Sequence, residues 1–190
     1  MVTQSLPLDD PNRPARMAGS TATHLEYRLD VLGTDAAELV RFAGGWMFDR
    51  AMAGWRVNAW LLDADEMRPL HVLGVRGHRL EPGVSRIDAA FAGGLAVSAG
   101  LAESDGGVRD EVRSVLTSGR TEVVLWGGRW PHQLGGRAES VRYRLSAAAQ
   151  TFKRHALLAA NCPEVRVEAT ESLVCGGYRP VDSDLITAGR

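Results

Sequence analysis

Lysine is almost absent from this sequence of 190 residues, because Lys153 is the only one. A phosphate-binding loop of the form GxxxxGK followed by Ser or Thr needs a lysine directly after a glycine, and Lys153 follows Phe152 instead. No GxGxxG motif is present either, which removes the usual dinucleotide-binding fingerprint. Both common phosphate-binding motifs are therefore excluded.

Neither sign of charge is in excess, since 22 basic and 23 acidic residues give a net charge of -1. Such a chain has no overall electrostatic attraction to nucleic acid or to an anionic membrane. We therefore expect no nucleic-acid or membrane partner, and expect a protein partner or a small molecule instead. The abundance of arginine, alanine and glycine, whose codons are GC-rich, indicates a high-GC bacterial origin.

Cysteine and histidine are also sparse. Cys162 and Cys175 match neither a CxxC redox motif nor a zinc framework, so we expect two reduced, partly buried thiols. The five histidines include no pair at i, i+4 and no HExxH motif. The sequence predicts no metal site, and it identifies no cofactor.

Long apolar runs are missing. The apolar stretch at residues 91–102 is far shorter than the roughly 20 residues that span a bilayer. The first 20 residues carry acids and prolines where a signal peptide has its apolar core. These features predict a cytoplasmic protein without a transmembrane segment.

Composition and pattern divide the chain into three parts. Residues 1–22 contain three prolines among polar residues and are predicted to form a flexible leader. Residues 23–180 are predicted to form a single α/β domain, because a chain of this length can bury a core without metals or disulfides. Residues 181–190 are predicted to form a C-terminal tail.

The hydrophobic pattern predicts alternating strands and helices. The predicted strands cover residues 24–32, 55–62, 69–75, 121–126 and 165–169. The predicted helices cover residues 35–53, 87–102, 107–118 and 137–160. The resulting order, β-α-β-β-α-α-β-α-β, is typical of a single three-layer domain with a largely parallel sheet of four to five short strands and flanking helices.

The tetrapeptide FAGG occurs at residues 42–45 and again at 91–94, each time on the apolar face of a predicted helix. Two adjacent glycines inside a helix cost about 2 kcal/mol relative to alanine, so something must require them. In one interpretation Gly44 and Gly45 allow a neighbouring element to pack closely. In the other, the helix breaks there, and Gly45 and Trp46 begin a second helix whose free N–H groups hold an anion. The sequence leaves both interpretations open.

Ligands of open α/β sheets bind beyond the carboxyl ends of the strands, so the loops that follow predicted strands are the candidate sites. The candidate ligand-binding residues are Asp63, Asp65 and Glu66 after the second strand, Arg76 and His78 after the third, and Arg129, Trp130, His132 and Arg137 after the fourth. A structural alternative exists for the loops of the second and fourth strands: an aspartate caps the next helix, and Trp130 covers the sheet.

A mildly basic face is predicted on the outer side of the 137–160 helix. Its members are Arg142, Arg144, Lys153 and Arg154. Such a face is typical of a solvated surface and could also contact an acidic partner.

No motif fixes a reaction, because GxSxG is absent and no catalytic partner can be assigned to Cys175. The sequence therefore predicts a small protein that acts by binding, as an accessory or regulatory module for a protein partner or a small ligand. The alternative is an enzyme, a transferase or hydrolase acting on a phosphorylated or nucleotide-like substrate at the carboxyl ends of the strands.

Overall fold

The computed structural model describes residues 27–81, 93–180 and 183–188, so the predicted leader at residues 1–22 lies outside the described residues. The strands are β1 (Arg28–Gly33), β2 (Arg56–Leu61), β3 (Arg76–Arg79), β4 (Gly93–Ser98), β5 (Glu122–Trp126), β6 (Ala138–Arg144), β7 (Thr170–Gly177) and β8 (Ile186–Thr187). The helices are α1 (Ala36–Met52), α2 (Arg68–Val72), α3 (Ala99–Ser104), α4 (Gly106–Ser118) and α5 (Ala147–Ala159), with a short 3-10 helix at His132–Leu134.

The strands form one sheet in the order β3-β2-β1-β4-β5-β7-β6-β8. Strands β1 to β5 pair in parallel, whereas β7 is antiparallel to β5 and to β6, and β8 is antiparallel to β6. The predicted fold class, α/β with a largely parallel sheet and flanking helices, is confirmed. The eight strands exceed the predicted four to five, and β8 lies within the segment that the sequence analysis assigned to a tail.

The core has two halves, one on each face of the sheet. Apolar residues of α1, α2 and α5 cover one face, and those of α3 and α4 cover the other. Successive residues of a strand point to opposite faces, so in β5 Val123 and Leu125 join the second half while Val124 and Trp126 join the first. The central strands are apolar at nearly every position because both of their faces are buried.

Two predicted elements are wrong because an apolar spacing of four residues fits a strand as well as a helix. In the predicted helix at 137–160, the first part is β6, and only Ala147–Ala159 is helical. In the predicted helix at 87–102, residues Gly93–Ser98 form β4, only residues 99–102 are helical, within α3, and residues 87–92 lie outside the described residues. Residues four apart share a face in a strand, where side chains alternate.

Two further predicted strands are also corrected. The run at 69–75 begins with α2, because Pro69 suits the first turn of a helix and Leu70 and Leu73 are both buried at helical spacing. The predicted strand at 165–169 is irregular, and β7 begins at Thr170. No helix within the described ranges is long and apolar enough to cross a membrane.

Gly44 and Gly45 lie inside α1, which runs without interruption from Ala36 to Met52. A Cβ atom added at Gly45 would overlap the Cδ2 atom of Leu145, and one added at Gly44 would lie 3.3 Å from Val40 Cγ1 and 3.4 Å from Leu73 Cδ1. A side chain at position 45 would therefore force Leu145 to move. The second FAGG copy differs, since its Gly93 opens β4 and a Cβ atom there would overlap the carbonyl oxygen of Arg28.

The same glycine region also holds an anion, although α1 is not broken. The N–H groups of Gly45 and Trp46 donate to the two carboxylate oxygens of Glu171, at 2.8 and 2.9 Å. Lys153 Nζ donates to the same carboxylate at 2.5 Å and to the carbonyl oxygen of Arg41 at 2.8 Å. The anion is thus an internal side chain of β7, and it ties α1 to α5.

Lys153 is therefore not part of an outer basic face, since only 4% of it is exposed. Arg142 and Arg144 also differ from the prediction, because they lie on β6 rather than on a helix. The predicted basic face on one helix does not form.

Candidate functional site

The carboxyl ends of β1 to β5 lie along one edge of the sheet because these strands are parallel. We call this the carboxyl edge; it is formed by the ends of the five strands and the loops that follow them. Ligands of open α/β sheets bind at such an edge. The predicted site residues can be compared with it one loop at a time.

Asp63 and Asp65 lie where they were predicted, in the loop after β2. The Asp63 N–H donates to the carbonyl oxygen of Thr34 at 2.8 Å, and Asp63 Oδ1 accepts from the N–H of Asp65 at 3.1 Å. Asp65 forms an exposed ion pair of 2.7 Å with Arg79, the last residue of β3. Neither aspartate caps α2; instead, Glu66 accepts a hydrogen bond from the N–H of Arg68 at 2.8 Å.

A cavity of about 220 Å³ lies between this loop and the start of α1. Asp35, Asp63, Asp65 and Glu66 line it, so its polar surface is acidic. Among the residues that the structure describes, no three His, Cys, Asp or Glu side chains come together as a possible metal site.

Arg76 and His78 do not lie in a loop after a strand, because both belong to β3, and the predicted strand before them at 69–75 contains α2 instead. Arg76 opens β3 and lines a separate cavity of about 220 Å³ with Trp55, at the opposite edge of the sheet. His78 stacks on Trp60 of β2, with 4.3 Å between ring centroids. The structure therefore separates Arg76 from Asp63 and Asp65.

The loop after β5 contains Arg129, Trp130 and His132, as predicted. The Trp130 side chain, however, packs against the rest of the protein. Trp130 Nε1 donates to the carbonyl oxygen of Gly135 at 2.9 Å, and a Cβ atom on Gly176 of β7 would overlap its ring. Arg129, His132 and Arg137 are exposed. Trp130 covers the sheet, as the structural alternative for this loop predicted.

Glu38 is a polar group at the carboxyl edge that was not predicted from the sequence. Its Oε1 atom accepts from the hydroxyl of Ser98 at 2.6 Å, and its Oε2 atom accepts from the N–H of Thr34 at 3.1 Å. The Glu38 side chain is partly exposed, whereas only 2% of Ser98 is. Both carboxylate oxygens are therefore held in place at the boundary between protein and solvent.

One sequence signal bears on this pair. Asp35 is the N-cap of α1 and accepts from the N–H of Glu38 at 2.8 Å, so the D-x-x-E pattern resembles a capping box. In a capping box the glutamate bonds back to the N-cap N–H, but Glu38 bonds to Thr34 and reaches Ser98 instead. The D-x-x-E pattern thus suggests only that Glu38 caps α1, and it does not predict the hydrogen bond from Ser98 of β4.

Ser98 stands in the sequence AVSAG, which has alanine where the GxSxG nucleophile motif has its first glycine. Its backbone angles, φ -61° and ψ 127°, are unstrained, unlike those of a nucleophile on a sharp strand-to-helix turn. With its oxygen directed at Glu38 and almost no exposure, Ser98 is suited to orient the carboxylate rather than to attack a substrate.

A separate cavity of about 420 Å³ borders α1 at Phe42. Its walls include Phe42, the Gly127–Gly128 backbone after β5, and Ser140, Arg142 and Ser172 from β6 and β7. Gly127 has φ +75°, and a Cβ atom on it would lie 3.7 Å from both Glu38 Oε1 and the Phe42 ring. Glu38 therefore lies next to the residues that form this cavity, which we call the Phe42 cavity.

No model of a protein family matches this chain, and no curated protein matches its sequence. Solved structures do match it. A deacetylase in complex with teicoplanin has a TM-score of 0.56 at 10% identity, over 86% of this chain and 100% of the other. A triple mutant of a deacetylase from the teicoplanin biosynthetic pathway has a TM-score of 0.54 at 13% identity, over 82% and 100%.

A third similar structure is a deacetylase of the A40926 pseudoaglycone, with a TM-score of 0.53 at 10% identity, over 82% of this chain and 99% of the other. At these identities the likeness establishes the fold. The prediction of a binding module is wrong, because these three similar structures are deacetylases rather than binding modules.

Proposed function

We propose that this chain is a hydrolase that removes an acyl group from a nitrogen atom of a small substrate at the carboxyl edge. The observation that carries the proposal is the Glu38 carboxylate, fixed through both oxygens by Ser98 and Thr34 beside the Phe42 cavity. The fold shared with teicoplanin and A40926 pseudoaglycone deacetylases supports the reaction class. This develops the hydrolase alternative of the sequence analysis.

Glu38 acts as a general base in this reaction. Its carboxylate takes a proton from a water molecule while the water oxygen forms a bond to the amide carbonyl carbon, and the π electrons of the carbonyl move to its oxygen. The carbon–oxygen double bond then re-forms as the carbon–nitrogen bond breaks, and the Glu38 carboxyl returns its proton to the departing nitrogen. The products are a carboxylic acid and an amine, so the atoms and protons balance.

Ser98 and the Thr34 N–H are positioning groups for this base. A carboxylate that accepts two fixed hydrogen bonds cannot rotate freely, so its proton-accepting direction stays constant. Such preorganisation is the usual way in which a fold turns an ordinary side chain into an efficient catalyst.

The Phe42 cavity indicates the substrate class. Phe42 supplies an apolar wall, and the hydroxyls of Ser140 and Ser172 supply hydrogen-bonding groups of the kind that contact a sugar. Its volume of about 420 Å³ suits a monosaccharide-sized ligand. We therefore propose an N-acylated amino sugar as the substrate class. A phosphorylated substrate would meet Arg142 in the same wall.

The test is a hydrolysis assay with N-acetylglucosamine and N-acetylglucosamine 1-phosphate as probes, followed by detection of the free amine. We expect the amine to form, and we expect Glu38→Gln to lower kcat by about 100-fold or more. The control is Glu164→Gln, which removes an exposed carboxylate and should leave the rate unchanged. A preference for the phosphorylated probe would support the phosphorylated substrate of the sequence analysis.

Two results would overturn the proposal: no amine from either probe, or full activity in the folded Glu38→Gln variant. Folding is checked by circular dichroism, which separates a lost base from a lost structure. The cytoplasmic location and the absence of a nucleic-acid partner remain predictions of the sequence.

A further inference from the structure

A further cavity, of about 240 Å³, lies at the opposite edge of the sheet from Glu38. Its lining includes Tyr27, Trp55 and Gly93, which stand where β1, β2 and β4 begin, and Glu122, the first residue of β5. We call it the amino-edge cavity. The length of a six-residue strand, roughly 17 Å, separates it from the carboxyl edge, so it is not part of the site described above.

Arg50 is the buried charged group of the amino-edge cavity, and only 8% of it is exposed. Its guanidinium lies 4.1 Å above the Trp55 ring, and its Nη2 atom contacts Asp184 at 2.6 Å and Glu122 at 3.6 Å. Its Nε atom is buried and has no hydrogen-bond partner among the described residues. A buried guanidinium N–H without a partner indicates a position that another acceptor can fill.

The lining of the cavity contains two guanidinium groups and one carboxyl group, and Asp184, which is outside the lining, also pairs with Arg50. Arg120 is the second guanidinium, and its side chain is exposed. Glu122 is the single carboxyl group of the lining, and it accepts a hydrogen bond from the Ser183 hydroxyl at 2.7 Å. Burial raises the pKa of Glu122 above its usual value, so the two guanidinium groups face a carboxyl group that ionises less readily than an exposed one.

Aromatic side chains form the outer wall. Tyr27 is 55% exposed and Tyr178 is 46% exposed, and both line the amino-edge cavity. Tyr27 also contacts Trp55, with 5.2 Å between ring centroids. Exposed aromatic rings gathered around buried charge are typical of a binding site rather than of plain surface.

We propose that the amino-edge cavity is a second binding site, which takes a small organic anion with a flat ring, such as an aromatic carboxylate. The carboxylate contacts Arg50 and Arg120, and the ring lies against Tyr27 and Tyr178. This site is independent of the hydrolase reaction, because none of its residues lies at the carboxyl edge.

The test is isothermal titration calorimetry of the full chain with benzoate and indole-3-carboxylate, and with benzamide and indole-3-carboxamide as uncharged counterparts. We expect the carboxylates to bind and the amides to bind at least about tenfold more weakly, because the amides lose the charge-assisted contacts to arginine. Arg120→Gln should weaken carboxylate binding by about tenfold or more, and since Arg120 is exposed the variant should fold.

Arg154→Gln is the matched control, since it removes an exposed guanidinium of α5 that is absent from the cavity lining. It should leave the affinity unchanged. The proposal is overturned if neither carboxylate binds at millimolar concentration, if the amides bind as tightly as the carboxylates, or if Arg120→Gln has the same affinity as the native chain.

Discussion

Among single residues, Glu122 shows most directly how burial changes a side chain. Only 4% of it is exposed at the start of β5, where it accepts from Ser183 and lies 3.6 Å from Arg50. Loss of water around the carboxyl is the largest influence and raises its pKa above the ordinary 4.5, and the Ser183 hydrogen bond and Arg50 only partly offset it. The ionised form is therefore less favourable in the folded chain than in the unfolded one.

We expect Glu122→Gln to raise the free energy of unfolding at about pH 8 and to change it little at about pH 4. A carboxyl with a raised folded pKa contributes stability below its unfolded pKa and loses that contribution as the pH rises through the folded pKa. Glutamine keeps the neutral shape and an oxygen for Ser183 at every pH. Urea unfolding at both pH values measures this difference.

Glu164→Gln serves as the control for Glu122→Gln, because an exposed glutamate should give no pH-dependent difference. A Glu122→Gln variant that loses stability at about pH 8 relative to about pH 4 would show that the contact with Arg50 outweighs desolvation.

Among the elements, the contact between α1 and the start of α5 depends on Gly45. The Leu145 side chain fills the space that a Cβ atom would need, and Leu145 itself is 4% exposed. Interiors packed at this density cannot absorb an added carbon without movement.

We expect Gly45→Ala to lower the free energy of unfolding by about 1–3 kcal/mol, as overpacking does, despite the higher helix propensity of alanine. Gly44→Ala should have a smaller effect, because its nearest contacts are 3.3 and 3.4 Å away. In the Leu145→Ala background the overlap disappears, so the cost of Gly45→Ala should fall. A double-mutant cycle from urea unfolding curves measures this coupling. Equal effects at positions 44 and 45 would contradict the role given to Leu145.

The sequence located β1, α1, β2 and β5 to within a few residues, because each has a clear pattern and a recognisable boundary. The predicted helix at 137–160 combined β6 with α5. Val141 and Leu145 are four residues apart, and this spacing puts both on one face of a helix or of a strand. The boundary signal was Ser146, whose hydroxyl accepts from the N–H of Ala149 as the N-cap of α5. The predicted helix boundaries relied on apolar spacing and did not use this N-cap.

At the scale of the whole molecule, the order of strands decides which distant residues meet. Asp63 and Asp65 could be placed at the carboxyl edge from sequence, because any loop after a parallel strand lies there. The Glu38–Ser98 contact joins residues 60 positions apart and exists because β4 is adjacent to β1. Strand adjacency is a property of the folded sheet, so neither residue was identified from the sequence.

The burial of Lys153 gives this molecule an unusual response to covalent labelling. Its side chain carries the single ε-amino group of the chain, and that group is held by Glu171 and the Arg41 carbonyl with 4% exposure. An amine-reactive ester can reach it only when α5 separates from β7, so acylation of Lys153 reports opening of the core.

We expect native protein to keep Lys153 unmodified while protein in urea is acylated, as measured by mass spectrometry of the peptide that contains it. Glu171→Gln removes the buried counter-ion and should raise the rate of acylation under native conditions, because loss of one partner of a buried pair destabilises the closed state. Acylation of the native chain at the rate of free lysine would contradict the buried position. The single lysine thus makes the chain its own probe of core opening, with one ε-amino group to follow and no engineered label.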